Sequence, residues 1–433
     1  MTPLLVGATG LGALFALILL QVPIAFAMII VGVIGFALQT GWGPALTILA
    51  SEPAGLLASV DLATVPLFLL MGTFASVAGF SSDIYAAAAA LFGHRRGGLA
   101  YATIGGCAAF GAVCGSSTAT AATFAKAALP EMLRRGYSPA FATGTIAAGG
   151  TLKALIPPSI VMILYCIVAR TFIFDLFTAS LVPALLAIVL NLLAIRIMVS
   201  LNPGAAPIGE RMPWSERIAA LRKAAPVILL MLVLFGGLYS GVFTVNEAAS
   251  VAAVLALALA LWRGRLDRTV LWTGLRETAA ATAMIYGVII GASIFSYFIS
   301  TARVPDALIG AIGELNLPPV AIIFALLVAY LILGAVFDEI AAMLITVPFV
   351  LPIIDKLGYD PIWWGVINVV VIELGMIIPP IGIIVFILHG LAPDIPLRTI
   401  YRGVTPFIIA DLVLLALLTL VPSIALWLPA VLR

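Results

Sequence analysis

Charge is what this chain has least of. Only 9% of its 433 residues are Asp, Glu, Lys or Arg, against about 25% in soluble domains. That excludes an ordinary water-soluble globular fold. The balance is as thin as the total. A formal net charge of +2 gives no electrostatic case for a nucleic-acid partner. Histidine occurs twice, as His94 and His389, and cysteine three times, as Cys107, Cys114 and Cys166. The cysteines lie in apolar surroundings, which argues against a disulfide framework and a transition-metal site. They read as small buried packing residues. The sequence has no G-x-x-x-x-G-K-[ST] phosphate loop and no H-E-x-x-H pair, so neither ATP hydrolysis nor an intramembrane enzyme is expected. The first stretch, "MTPLLVGATGLGALF", has no Lys or Arg and no clear cleavage site, and reads as a retained helix.

What is abundant is apolar sequence. Hydrophobic residues make up 64% of the chain, in runs of roughly 18 or more residues that recur from end to end. An all-α polytopic membrane protein follows. The runs predict helices near 4–20, 22–39, 62–80, 174–200, 224–241, 245–262, 270–300 and 404–429. The stretch "PALTILASEPAGLLASV" looks interfacial. Trp363-Trp364 and Trp427 look like membrane-interface anchors. Shorter paired segments fall at 98–114 with 117–133 and at 319–336 with 339–355. Interrupted spans follow them at 138–169 and 360–390.

The interruptions belong to an internal repeat. "LPEMLRRGYSPAFATGTIAAGGTLKALIPPSI" (129–160) aligns without a gap on "LPIIDKLGYDPIWWGVINVVVIELGMIIPPIG" (351–382). Leu129-Pro130, Gly136-Tyr137 and Pro139 fall on Leu351-Pro352, Gly358-Tyr359 and Pro361. Ile156-Pro157-Pro158 falls on Ile378-Pro379-Pro380, always at an offset of 222. The chain therefore divides into a first half, 1–200, a polar linker, 201–223, and a second half, 224–433. Each half holds a helical hairpin (98–133, 319–355) and a discontinuous helix (138–169, 360–390).

Basic residues orient the halves. Reading each pair of short segments as a re-entrant hairpin puts Arg95-Arg96 and Arg134-Arg135 on one face, with the linker, Arg263, Arg265, Arg268, Arg398 and Arg402. That face is cytoplasmic by the positive-inside rule. Of the 21 Lys and Arg, four (Arg170, Arg303, Lys356, Arg433) fall on the opposite face, and Lys126 and Lys153 lie within membrane segments. The first half then starts outside and the second inside, with both chain termini outside. Inverted-topology repeats with broken helices near the midplane are the architecture of secondary transporters.

A helix interrupted by Gly and Pro, at Gly149–Pro158 and again at Gly375–Pro380, frees backbone carbonyls, which suit a small hard cation such as Na⁺, and half-helix N-termini, which suit an anion. The two tips, "CGSST" and "FDEIA", with the two breaks imply two quasi-equivalent Na⁺ sites with substrate between the tips. Ser116, Ser117 and Thr118 can cap a helix and ligand at once. Asp338 and Glu339 can cap a helix at an aqueous surface or ligand a cation, and Asp338 is the better-placed candidate. Glu373 is an ionisable group inside an apolar span, functional by default or else a partnered structural carboxylate. Asn246 and Asn368 read as helix–helix hydrogen-bonding residues.

The segment "GSSTATAATFAKAALPEMLRRGYSPAFATGTIAAGGTLKALIPPS" and its counterpart "GAVFDEIAAMLITVPFVLPIIDKLGYDPIWWGVINVVVIELGMIIPPIG" resemble the signature regions of one family. This is the large membrane (M, DctM-like) subunit of tripartite ATP-independent periplasmic (TRAP) transporters, within the ion-transporter superfamily. The resemblance covers essentially the whole chain. It implies an elevator mechanism in which hairpins and broken helices move against a scaffold. It implies Na⁺-driven import of organic acid anions, a periplasmic binding protein that delivers them, and a small four-helix membrane subunit. No four-helix extension is seen at either end, so that subunit is expected as a separate chain. It implies a bacterial or archaeal cytoplasmic membrane. On this reading Ser116, Ser117, Thr118, Lys153 and Asp338 face substrate. Ser116, Gly150, Thr151, Pro157, Asp338, Glu373, Gly375 and Pro379 surround Na⁺.

The sequence departs from the family at three points. Lys153 stands where glycine is usual, Val371 where Asn is expected, and Ile378 where Thr is common. The ammonium of Lys153 could replace a Na⁺, pair with a substrate carboxylate, or pair with a carboxylate or carbonyls beside the break. The alternative overall reading is a stand-alone ion-coupled carrier that works without a binding protein.

Overall fold

The structure, a computed structural model, describes residues 2–314 and 317–432. Arg433, placed on the outer face by the basic count, lies outside the described residues. The first half holds α1 (Pro3–Leu19), α2 (Ile24–Thr40), α3 (Trp42–Leu57), α4 (Thr64–Val77), α5 (Phe80–Phe92), α6 (Gly98–Cys114), α7 (Ser117–Arg134), α8 (Pro139–Leu152), α9 (Ile160–Ala169) and α10 (Ile173–Leu201). The second holds α11 (Trp214–Tyr239), α12 (Val245–Trp262), α13 (Arg268–Thr301), α14 (Val304–Glu314), α15 (Pro319–Val336), α16 (Glu339–Lys356), α17 (Pro361–Gly375), α18 (Ile383–Leu391), α19 (Leu397–Leu420) and α20 (Ser423–Leu432). Among the described residues, 8 helical stretches are long and apolar enough to cross a membrane. The chain is an all-α, multi-pass membrane protein.

Several expectations need correction. Two helices, α5 and α14, have no counterpart among the expected spans. At 13 and 11 residues they are too short to cross hydrocarbon, so a search for spans passes over them. The stretch expected to lie at the interface forms helix α3, with Pro53 within it, and that expectation stands. The predicted helix 404–429 is two helices. Pro422 has no N–H to extend the ladder, and Val421 before it leaves helical geometry at φ −130°. The linker ends early, because Pro213 starts α11 and residues 214–223 are already helical. The tryptophans differ most. Trp363 and Trp364 are fully buried, Trp363 Nε1 donating to Leu418 O at 2.8 Å and Trp364 edge-on to Tyr330. They are core residues of α17. Trp427, by contrast, is exposed.

Packing separates an inner group from an outer one. Every residue of α8 from Phe141 to Leu152, and of α17 from Ile362 to Gly375, is buried. The outer helices carry large exposed apolar side chains such as Leu38, Leu201, Leu232 and Trp262, which is how helices meet lipid. Helix α6 packs on α8 as α15 packs on α17, so each first hairpin arm lies against its own broken helix. The second arms pack on both halves, α7 on α8 and α16 on α17 as well as across. Helix α7 packs on α18, and α16 packs on α9. Small residues permit the tightest contacts. A Cβ on Gly144 would sit 2.1 Å from Gly403 O, and one on Gly403 would sit 1.9 Å from Ala140 O.

Candidate substrate and cation site

The first break begins later than its glycines. Helix α8 runs unbroken through Gly149, Gly150 and Thr151 to Leu152. Lys153–Leu155 form one 3₁₀ turn, Ile156 is extended, and α9 starts at Ile160. The expectation that the glycines open the helix is therefore corrected. They admit neighbours instead. A Cβ on Gly149 would lie 2.7 Å from Cys107 Sγ, and one on Gly150 would lie 2.8 Å from Ala121 Cβ. Both arms of the hairpin reach the broken helix because those side chains are missing. Thr151 Oγ1 turns back to donate to Ala148 O at 2.9 Å. The prolines end the ladder, since neither Pro157 nor Pro158 has an N–H. The second break matches. Helix α17 ends at Gly375, where a Cβ would lie 2.5 Å from the Gly334 carbonyl carbon, and α18 follows Gly382 at φ 57°. The bonds Pro157–Pro158 and Pro379–Pro380 are both cis. The two breaks differ in exposure: Pro157 and Pro158 are buried, while Pro379 and Pro380 are exposed.

The tips supply the polar atoms. Ser116 caps α7, its Oγ accepting from Ala119 N at 3.3 Å and lying 3.1 Å from Thr118 Oγ1. Both side chains are half-buried. Asp338 caps α16, accepting from Ile340 N at 3.2 Å, and is exposed. The neighbouring residues in each tip turn inward. Ser117 is fully buried, and its Oγ lies 2.6 Å from Glu373 Oε1 and 3.2 Å from Glu339 Oε2. Glu339 and Glu373 are 6% and 4% exposed, and Glu373 Oε2 has no hydrogen-bond partner. Such an oxygen is costly to bury unless something pairs with it.

Lys153 completes the cluster. It is fully buried, and its Nζ donates to Gly115 O at 2.9 Å, tying the first break to the first tip. Its stem lies over Gly111, where a Cβ would fall 2.1 Å from Lys153 Cβ. The ion pairs among the described residues are Arg134–Glu131, Arg135–Glu131 and Arg263–Asp83, so no carboxylate oxygen lies within 4.0 Å of Nζ.

Of the residues singled out in the sequence, Ser117, Lys153 and Glu373 meet in the interior. Ser116, Thr118 and Asp338 line its rim. Gly150 and Gly375 sit at close helix contacts, Thr151 bonds its own helix, and Pro157 and Pro379 end the half-helices. Glu339, placed below Asp338 as a cation ligand, is the one that turns inward. The signal for it was the repeat itself: Glu339 aligns with Ser117 at the offset of 222.

Known proteins are similar to this chain over most of its length. The family described as "Tripartite ATP-independent periplasmic transporter, DctM component" matches residues 11–424. The C4-dicarboxylate TRAP transporter large permease protein DctM of Pseudomonas aeruginosa is 37% identical over 369 residues, covering 85% of this chain and 86% of that one. The ectoine TRAP transporter large permease protein TeaC of Halomonas elongata is 31% identical, covering 96% and 97%. The crystal structure of the Alcanivorax borkumensis YdaH transporter superposes with a TM-score of 0.59 over 90% of both chains. At 16% identity that shows a shared fold alone. The chain belongs to the DctM family of TRAP transporter large membrane subunits.

Proposed function

We propose that this chain is the translocating subunit of a Na⁺-coupled, binding-protein-dependent importer of organic acid anions. One observation carries the reading. The tip of the first hairpin meets the tip of the second and the second broken helix through Ser117, Glu339 and Glu373, in a buried polar cluster. A buried carboxylate pair with an unpartnered oxygen suits a hard monovalent cation. The reciprocal packing of α7 on α18 and α16 on α9 supports two inverted repeats, 1–200 and 224–433, that meet through their second hairpin arms. On this reading α6–α9 and α15–α18 move as one body against the remaining helices, an elevator step that carries cluster and substrate across together. Ser116, Thr118 and Asp338 at the rim face the substrate.

The substrate class comes from relatives, whose names specify C4-dicarboxylates, isethionate, sialic acid and ectoine. A periplasmic binding protein and a small four-helix membrane subunit complete the assembly. The test is uptake into proteoliposomes holding the chain and its small subunit. An inward Na⁺ gradient should drive saturable uptake of a C4-dicarboxylate only when the cognate binding protein is present. Uptake indifferent to the Na⁺ gradient overturns the coupling. Uptake by the chain alone favours the stand-alone carrier.

A further inference from the structure

We infer that Lys153 is a resident cation. Its ammonium permanently occupies the ion place at the first break, and one exchangeable Na⁺ place remains at Ser117, Glu339 and Glu373. The inference rests on the Na⁺-coupled reading and specifies its stoichiometry.

The first step concerns position. Nζ sits 2.9 Å from Gly115 O, between a hairpin tip and a helix break. A carbonyl released from helical bonding in that position is an oxygen ligand for a bare cation. The ammonium uses that ligand while its stem fills the space beside Gly111. Among the described residues no carboxylate pairs with it directly, so its charge is balanced across the cluster.

The second step counts charge. With both carboxyls ionised, as a bound cation requires, Glu339 and Glu373 set two negative charges against the one positive charge of Lys153, all in residues no more than 6% exposed. The remainder is one negative charge. Ser117 has a single hydroxyl hydrogen, and its Oγ contacts both carboxylates. It can donate to one, which leaves the other contact and Glu373 Oε2 without a donor. One monovalent cation held by Glu339, Glu373 and Ser117 Oγ neutralises the remainder.

The third step is asymmetry. The residue aligned with Lys153 is Gly375, which packs on Gly334 and brings no charge. The two halves therefore treat their breaks differently, one with a tethered cation and one without.

The experiment counts Na⁺ moved per substrate in proteoliposomes, from the substrate gradient that just balances a known Na⁺ gradient. Lys153→Gly should require one Na⁺ more per substrate than the parent, with uptake depending more steeply on Na⁺. Lys153→Ala keeps the Cβ packed on Gly111 and is read the same way if the glycine variant does not fold. Na⁺-dependent thermal stabilisation of the purified proteins is a second readout, since a ligand that binds only the folded state raises its melting temperature. The variants should gain more from Na⁺ than the parent, with K⁺ as control. An unchanged ion count with unchanged Na⁺ stabilisation overturns the resident-cation inference and leaves Na⁺ coupling intact. A parent protein that transports without any Na⁺ dependence overturns the coupling reading instead.

Discussion

Ser117 and Glu339 occupy the same position in the two halves of the chain, and they touch, Oγ to Oε2 at 3.2 Å. Two hairpin tips, 222 residues apart in sequence, thus share one polar contact. Glu373 joins from the second broken helix at 2.6 Å from the same oxygen. The contact is buried, so every group in it is costly to leave unsatisfied.

Ser117→Ala tests that cost. It removes the shared hydroxyl and leaves two carboxylates facing without it. Losing a hydrogen bond to a buried charge costs about 1.5–3 kcal/mol, which corresponds to roughly 10- to 150-fold in an equilibrium. Half-saturating Na⁺ for uptake should rise by that order. Ser116→Ala removes an N-cap bond and a contact with Thr118 Oγ1 at the half-buried rim. It should cost about 1 kcal/mol of stability and shift the Na⁺ dependence far less. Equal effects from the two variants would separate Ser117 from cation binding.

Gly111 and Lys153 should behave as a coupled pair. A methyl on Gly111 falls 2.1 Å from Lys153 Cβ, so the stem must move or the helices part. Overpacking of this kind costs about 1–3 kcal/mol. Gly111→Ala should therefore lower the melting temperature in detergent. In the Lys153→Gly background the nearest remaining atom is Cα, at 3.2 Å, and most of that loss should vanish. A double-mutant cycle in the four proteins measures the coupling. Additive losses would mean that the two residues do not compete for one space.

Much of this architecture is legible in the sequence alone. Proline pairs mark the breaks, because a residue without an N–H ends a helix wherever it falls. The short paired segments mark the hairpins, and the offset of 222 marks the repeat. What is illegible depends on neighbours. Gly149 and Gly150 read as helix breakers, yet they lie in a regular helix because Cys107 and Ala121 come too close for a Cβ. Trp363 and Trp364 read as interface anchors from their residue type, yet Leu418 O and Tyr330 hold them inside. Of the adjacent carboxylates Asp338 and Glu339, Asp338 reads as the better cation ligand, yet residue type and position do not tell which one faces inward. The start of α16 turns one to solvent and the other inward.

Arg263 anchors a different region, remote from the cluster in sequence. Its guanidinium donates to Ala78 O and to Lys223 O, each at 2.8 Å, pairs with Asp83, and lies 5.1 Å from the centre of the Phe80 ring. One planar head thus joins the α4–α5 turn, α11 and the end of α12. Lysine keeps the charge but lacks the fork. Arg263→Lys should therefore destabilise the protein nearly as much as Arg263→Ala, by about 2–4 kcal/mol. Melting temperatures of both variants give the comparison. Full rescue by lysine would show that charge alone matters there.

The helix contact at Gly403 allows the sharpest structural test. Its missing Cβ would fall 1.9 Å from Ala140 O, and that of Gly144 falls 2.1 Å from Gly403 O. Backbone atoms cannot swing aside as a side chain can, so α8 and α19 must separate to admit a methyl. Gly403→Ala should cost several kcal/mol, at or above the usual range of about 1–3 kcal/mol for overpacking. Gly12 lies in α1, and a methyl added there would have nothing within 4 Å, so Gly12→Ala meets open space. There the helix gains about 0.5–1 kcal/mol from the lost backbone freedom of glycine. The two substitutions are chemically identical and should move the melting temperature in opposite directions. If Gly403→Ala melts with the parent, α8 and α19 are not packed as closely as these distances require.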